Sequence, residues 1–124
     1  MSATKFYMLQ GHGVLECIPD GSKLRSYRDA VEIIGVAFEN RAKWIVIPVE
    51  CLHEDFFRLR TLVAGELVQK FVSYRRHLAI VGDISERLDR SPTLRAFVSE
   101  SNRGNQVWFV ASAAEFGRRL ARTL

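Results

Sequence analysis

Residues 43–83 read KWIVIPVECLHEDFFRLRTLVAGELVQKFVSYRRHLAIVGD. Short apolar, β-branched runs, KWIVIPV and LAIVG, stand near the two ends of this stretch. Continuous runs of this kind belong to strands covered on both faces, as in a parallel sheet. Between them Phe56, Leu59, Val63, Leu67, Phe71 and Tyr74 recur at helical spacing, and Phe57, Ala64 and Val68 widen the stripe. The spacing predicts one long helix from about Glu54 to Arg76. Strand, helix and strand then make a right-handed crossover with parallel strands. Pro48 is expected at the exit of its strand, because proline cannot donate to a central ladder.

Working outward, KFYMLQ and VLECI flank GHG, which reads as a tight hairpin turn. SYRDAVEIIGVAFENR places Tyr27, Ala30, Val31, Ile34 and Phe38 on one helical face, with Ser26 as N-cap and Asp29 three residues on. A further helix should start at Ser91 with Pro92 in its first turn and stop near a left-handed Gly104. QVWFVA is the last strand, and Ser112 with Glu115 has the capping-box spacing that opens a final helix. The predicted order, ββαβαβαβα, implies one α/β domain over residues 1–124, a mixed, mostly parallel sheet with helices packed on it. This is similar to the element order of STAS domains, the small modules of bacterial anti-sigma-factor antagonists, a likeness of fold that carries no function.

The 124 residues are 48% hydrophobic and 26% charged, an ordinary soluble composition. No run approaches the ~18 apolar residues of a membrane span, and MSATKFYMLQ lacks a signal-peptide layout, so a cytoplasmic protein is expected. The net charge is +4. Its cationic clusters, YRRH at Tyr74–His77 and Arg118, Arg119 and Arg122, fall in helix C-terminal turns, where cations are favoured anyway. Nucleic acid is therefore not an expected partner. Cys17 and Cys51 read as small core residues, with no C-x-x-C pair. Neither a metal nor a cofactor is expected.

Two residues sit oddly in the predicted long helix. Arg60 falls among the apolar positions, where a permanent cation needs a carboxylate or carbonyl partner; it reads as a helix-to-sheet tie or as an anion-holding residue. Glu50, Glu66, Asp83 and Glu100 are the acids within range. Gly65 lies on the outer face beside Leu62 and Gln69 and costs about 1 kcal/mol against alanine. That trio is the candidate dimer surface. VECLHED gathers Cys51 and His53 with three acids at a strand exit, but the acids oppose a thiolate and suit a helix first turn. No phosphate loop, nucleophile elbow or H-E-x-x-H occurs.

The stretch EDFFRLRTLVAGELVQKFVSYRRHLAIVGD with LRAFVSESNRGNQVWFV resembles domain of unknown function 4180, a family of small bacterial proteins. The resemblance covers Glu54–Val110. In the family a glycine usually follows the threonine, whereas here Leu62 follows Thr61. The resemblance implies a fold and no activity. Its polar positions include Thr61, Glu66, Gln69, Asp83, Glu100 and Asn102, which favours a binding surface. The expected function is a non-enzymatic, self-associating interaction module with a protein partner in signalling or stress regulation. The alternative is a small-molecule or anion binder, or an enzyme, with a site at Arg60, Thr61, Glu66, Asp83, Glu100 and Asn102.

Overall fold

The structure, a computed structural model, describes residues 3–123. Five strands, β1 (Thr4–Leu9), β2 (His12–Cys17), β3 (Trp44–Pro48), β4 (His77–Val81) and β5 (Val107–Val110), form one sheet in the order β1-β2-β3-β4-β5. The first pair is antiparallel and the rest are parallel. Five helices accompany it: α1 (Tyr27–Glu39), α2 (Val63–Ser73), α3 (Ser85–Arg90), α4 (Pro92–Arg103) and α5 (Ala113–Ala121).

Strand alternation divides the core in two. On one face Leu15, Ile45, Ile47, Leu78, Ile80 and Phe109 pack with Ile33, Ile34, Leu67, Phe71, Leu94 and Val98 of α1, α2 and α4. On the other, Trp44, Val46, Ala79, Trp108 and Val110 meet Phe116 and Leu120 of α5. Trp44 packs at a tilt against Trp108 with centroids 4.4 Å apart and edge-on against Phe116 at 5.4 Å. The expected α/β class and alternation hold.

The caps explain where helices begin. The Asp29 carboxylate accepts from the backbone N–H groups of Arg25 (2.9 Å) and Ser26 (3.1 Å). Ser91 accepts from Leu94 N–H and Ser112 from Glu115 N–H, each at 3.1 Å.

Several expectations are corrected. The long helix from Glu54 does not form: residues 54–57 and 59–61 are short 3-10 turns, and α2 starts only at Val63. The break lies at Leu62, whose φ of 68° is left-handed, a conformation costing a non-glycine residue about 1–2 kcal/mol. Arg60 accordingly lies exposed on the second turn and not against the sheet. The buried arginine is Arg76, 8% exposed, at the predicted end of that helix. The hairpin turns at Gln10-Gly11, both at positive φ, so His12 and Gly13 already belong to β2. Gly104 is extended (φ −98°), not left-handed. Finally, α3 is an extra helix before α4.

Candidate functional site

Open α/β sheets offer their ligand sites beyond the carboxyl ends of the strands, so the exits of β3, β4 and β5 are the natural place to look. The β4 exit is tightly built. Gly82 has φ 147°, and a Cβ there would lie 2.6 Å from Val49 Cγ2 and 2.9 Å from Val49 Cβ. Only glycine lets the two strand exits touch. Asp83 follows, its Oδ1 accepting from Ser85 N–H at 2.9 Å. Hydrogen bonds from the Ser85 side chain and backbone hold this exposed carboxyl below its ordinary value.

Behind this turn lies a cavity of about 260 Å³. Ile80, Ile84, Leu88, Val98 and Phe109 form its apolar wall, and Asp83, Ser85, Asn102 and Glu115 are its polar lining. Asp83 and Ser85 also border a polar hollow of about 420 Å³ that includes Glu54, Arg58, Glu86, Arg87 and Arg90. Glu54 and Arg87 continue into a third hollow with Lys23 and His53. Shared walls make these one trough along the carboxyl edge.

Most of its arginines are already matched. Arg87 Nη2 meets Glu54 Oε1 at 2.5 Å, while its guanidinium lies 4.4 Å over the Phe57 ring. The Arg87 hydrogen bond, with charge from Arg87, Arg58 and His53, keeps Glu54 below the usual carboxylate range against the effect of burial. Arg90 pairs with Glu86 (2.6 Å) and Arg58 with Asp55 (3.8 Å). His53 Nδ1 accepts from Asp55 N–H at 3.1 Å, so in the neutral ring the proton sits on Nε2.

A family model described as "Domain of unknown function (DUF4180)" matches residues 9–120. The chain belongs to that family. No curated protein and no solved structure matches it. In this DUF4180 chain the left-handed Leu62 stands where the resemblance puts a glycine, so the backbone at this point suits the glycine better.

Of the predicted site residues, Asp83 and Asn102 share the cavity. The others do not join them. Arg60 and Glu66 are exposed. Thr61 Oγ1 donates to the carbonyls of Asp55 (2.6 Å) and Arg58 (2.7 Å) and secures the 3-10 turns. Glu100 pairs with Arg103 at 2.6 Å instead of Arg60. Asn102 itself is used on the backbone of β5: it donates to the Phe109 carbonyl (3.2 Å) and accepts from Phe109 N–H (2.7 Å). That clamp satisfies the free side of an edge strand.

Cys17 and Cys51 are buried, and burial pushes their thiols up to about 12 and about 11, opposite to what a nucleophile needs. Among the described residues no group of three or more His, Cys, Asp and Glu side chains is placed to hold a metal ion. Sequence reasoning missed Arg87, whose partner lies 33 positions away, with no local signal. It also missed Arg76. Its signal is the helix end at YRRH, where Arg75 takes φ 57° and turns Arg76 inward.

Proposed function

We propose that the chain is a non-enzymatic interaction module of STAS-like element order that pairs with a second copy of itself through the outer face of α1 and α2. The observation that carries this reading is where the exposed apolar side chains stand. Of the eight large exposed apolar side chains among the described residues, five (Tyr27, Val31, Phe38, Leu62 and Tyr74) are on or beside these two helices, and such clustering marks interaction surfaces. Gly35 and Gly65 lie exposed in the interiors of the same helices, with no heavy atom within 4 Å of an added Cβ. Neither glycine is needed by the fold of one copy, and both allow a second backbone to come close. The face carries charges of both signs, Arg28, Glu32, Glu66 and Lys70, which a two-fold interface can pair with themselves. A cytoplasmic role in signalling or stress regulation, with a further protein partner, fits a small module of this kind.

Multi-angle light scattering at tens of micromolar tests the reading. A dimer is expected, reduced to monomer by Val31→Glu or Gly65→Glu. A monomeric natural chain, or a dimer indifferent to both changes, sinks it.

The second reading is a small-ligand site in the cavity beside Asp83, supported by its apolar wall and ionised mouth at the carboxyl edge. The carboxylate favours a small amine with an apolar tail. Hexylamine should then raise the melting temperature where hexanoate does not, and Asp83→Asn should abolish the difference. Equal effects of the two compounds would remove this reading.

A further inference from the structure

The opposite end of the sheet, where helices finish and strands begin, collects cations. Arg41 and Lys43 follow α1, Arg75 and Arg76 follow α2, Arg103 closes α4 and Arg119 lies late in α5. Each alone is explained by the carbonyls of a helix C-terminus. The topology strings them together. The Arg41 carbonyl lies against Gly13 of β2. The Lys43 carbonyl accepts from His77 N–H (2.8 Å), and the His77 ring meets the Asn105 carbonyl at 2.6 Å. Arg119 donates to the carbonyls of Asn102 and Gly104. With strands about 4.8 Å apart, β2 to β5 span an edge roughly 15 Å long.

Among the described residues this edge lacks the anions to match. Of its two nearby carboxylates, Glu39 makes no ion pair among the described residues and Glu100 is engaged by Arg103. Arg76 is the sharpest case. Its guanidinium lies 3.9 Å over the Phe38 ring, Nη1 reaches only to 3.5 Å from the Ala42 carbonyl, and Nε is buried with no partner. No carboxylate among the described residues forms an ion pair with it. A guanidinium cannot shed its charge, and a buried cation without an anion is costly. Beside it Phe38 and Tyr74, 48% and 45% exposed, stand edge to face with centroids 6.3 Å apart. Burial and then the charge of Arg122 hold Arg119 below its ordinary value, so like charges crowd this end.

We propose that this edge binds single-stranded nucleic acid, its phosphates lying along Arg41, Lys43, Arg75 and Arg76 and a base stacking on Tyr74. Two pairs of cations on the neighbouring loops that enter β3 and β4 fit successive phosphates, and a half-exposed ring beside them supplies the stacking platform that single strands use. Taken separately, YRRH and the last helix are ordinary solvated helix ends; the sheet brings them to one edge.

Fluorescence anisotropy with a labelled oligothymidylate of about 16 nucleotides tests the proposal. At low salt saturable binding is expected, with log affinity falling against log salt at a slope of about −3 for four phosphate contacts. Arg41→Glu with Arg75→Glu should weaken it at least ~10-fold. Tyr74→Ala should weaken it about 10-fold with the slope unchanged. Arg90→Glu, at the other end of the sheet, should leave it alone. Circular dichroism should show the natural fold for all of these variants, and light scattering the natural mass for the charge reversals. The proposal is overturned by no binding at low salt, by a duplex binding as tightly, by polyglutamate competing as well as unlabelled oligothymidylate, or by indifference to the charge reversals.

Discussion

At the carboxyl end of the sheet Arg58, Arg87 and Arg90 each lie against a carboxylate, whereas at the amino end Arg41, Lys43, Arg75 and Arg76 have none among the described residues. Four of the five ion pairs among the described residues belong to the carboxyl end. Backbone direction explains the asymmetry. Every parallel crossover brings helix N-termini, which favour acids, to one end and helix C-termini, which favour bases, to the other. At the carboxyl end the short 3-10 turns and α3 add arginines that neutralise those acids. Among the described residues nothing comparable supplies acids at the amino end. One end pairs most of its arginines with its own acids, and the other holds cations without carboxylates.

The largest expected effect falls on the carboxyl end. Gly82→Val should destabilise by about 3 kcal/mol in urea unfolding, since the added side chain meets Val49 and the backbone sits at positive φ. A loss under 1 kcal/mol would mean that the two strand exits are not locked together. Asn102→Ala removes both bonds to Phe109 and should cost about 2 kcal/mol. Protection of the Phe109 amide in hydrogen exchange should fall with it.

The amino end predicts the reverse sign. Arg76→Met keeps much of the packing on Phe38 and removes a buried cation without an anion. Stability should hold or rise by about 1 kcal/mol while oligonucleotide affinity drops. A large loss of stability would show that the fold itself needs that charge.

Acid should separate the ends as well. Asp83 and Glu54 have folded values below their ordinary ones, so the stability they contribute is present above about pH 4 to 5 and is lost as pH falls through the depressed values. Urea midpoints should decline over that range, and Glu54→Gln with Asp83→Asn should flatten the decline. An unchanged slope would remove the carboxyl-end pairs from the acid response. Smallest is Leu62→Gly, expected to stabilise a monomer by about 0.5 kcal/mol by relieving the left-handed strain. The same change should loosen a dimer that uses the exposed Leu62 side chain.

How much was legible beforehand follows from the range of each signal. KWIVIPV, LAIVG and QVWFVA read as buried strands because their apolar runs are local, and Ser91 and Ser112 announced their helices because a cap is satisfied within three residues. The stretch from Glu54 to Leu62 misled because Phe56, Leu59 and Val63 keep helical spacing through two 3-10 turns. A period cannot reveal a single left-handed residue such as Leu62. Once that break is unseen, Arg60 rotates onto the wrong face. The site was legible as a place, the strand exits with Asp83 and Asn102, but not as a set of partners. Arg87 with Glu54, and Arg76 with Phe38, join residues that only the sheet brings together.

The sequential strand order has a consequence for synthesis. Each parallel strand joins the edge laid down just before it, and none must insert between strands already paired. The sheet can therefore grow outward at the pace of translation, about 5–20 residues per second. The face bearing Trp44 and Trp108 is covered by α5, which emerges after all five strands. For that interval the nascent chain is a sheet clothed on one side only, with its tryptophans bare, and a chaperone would find it most exposed at the moment its sheet is complete.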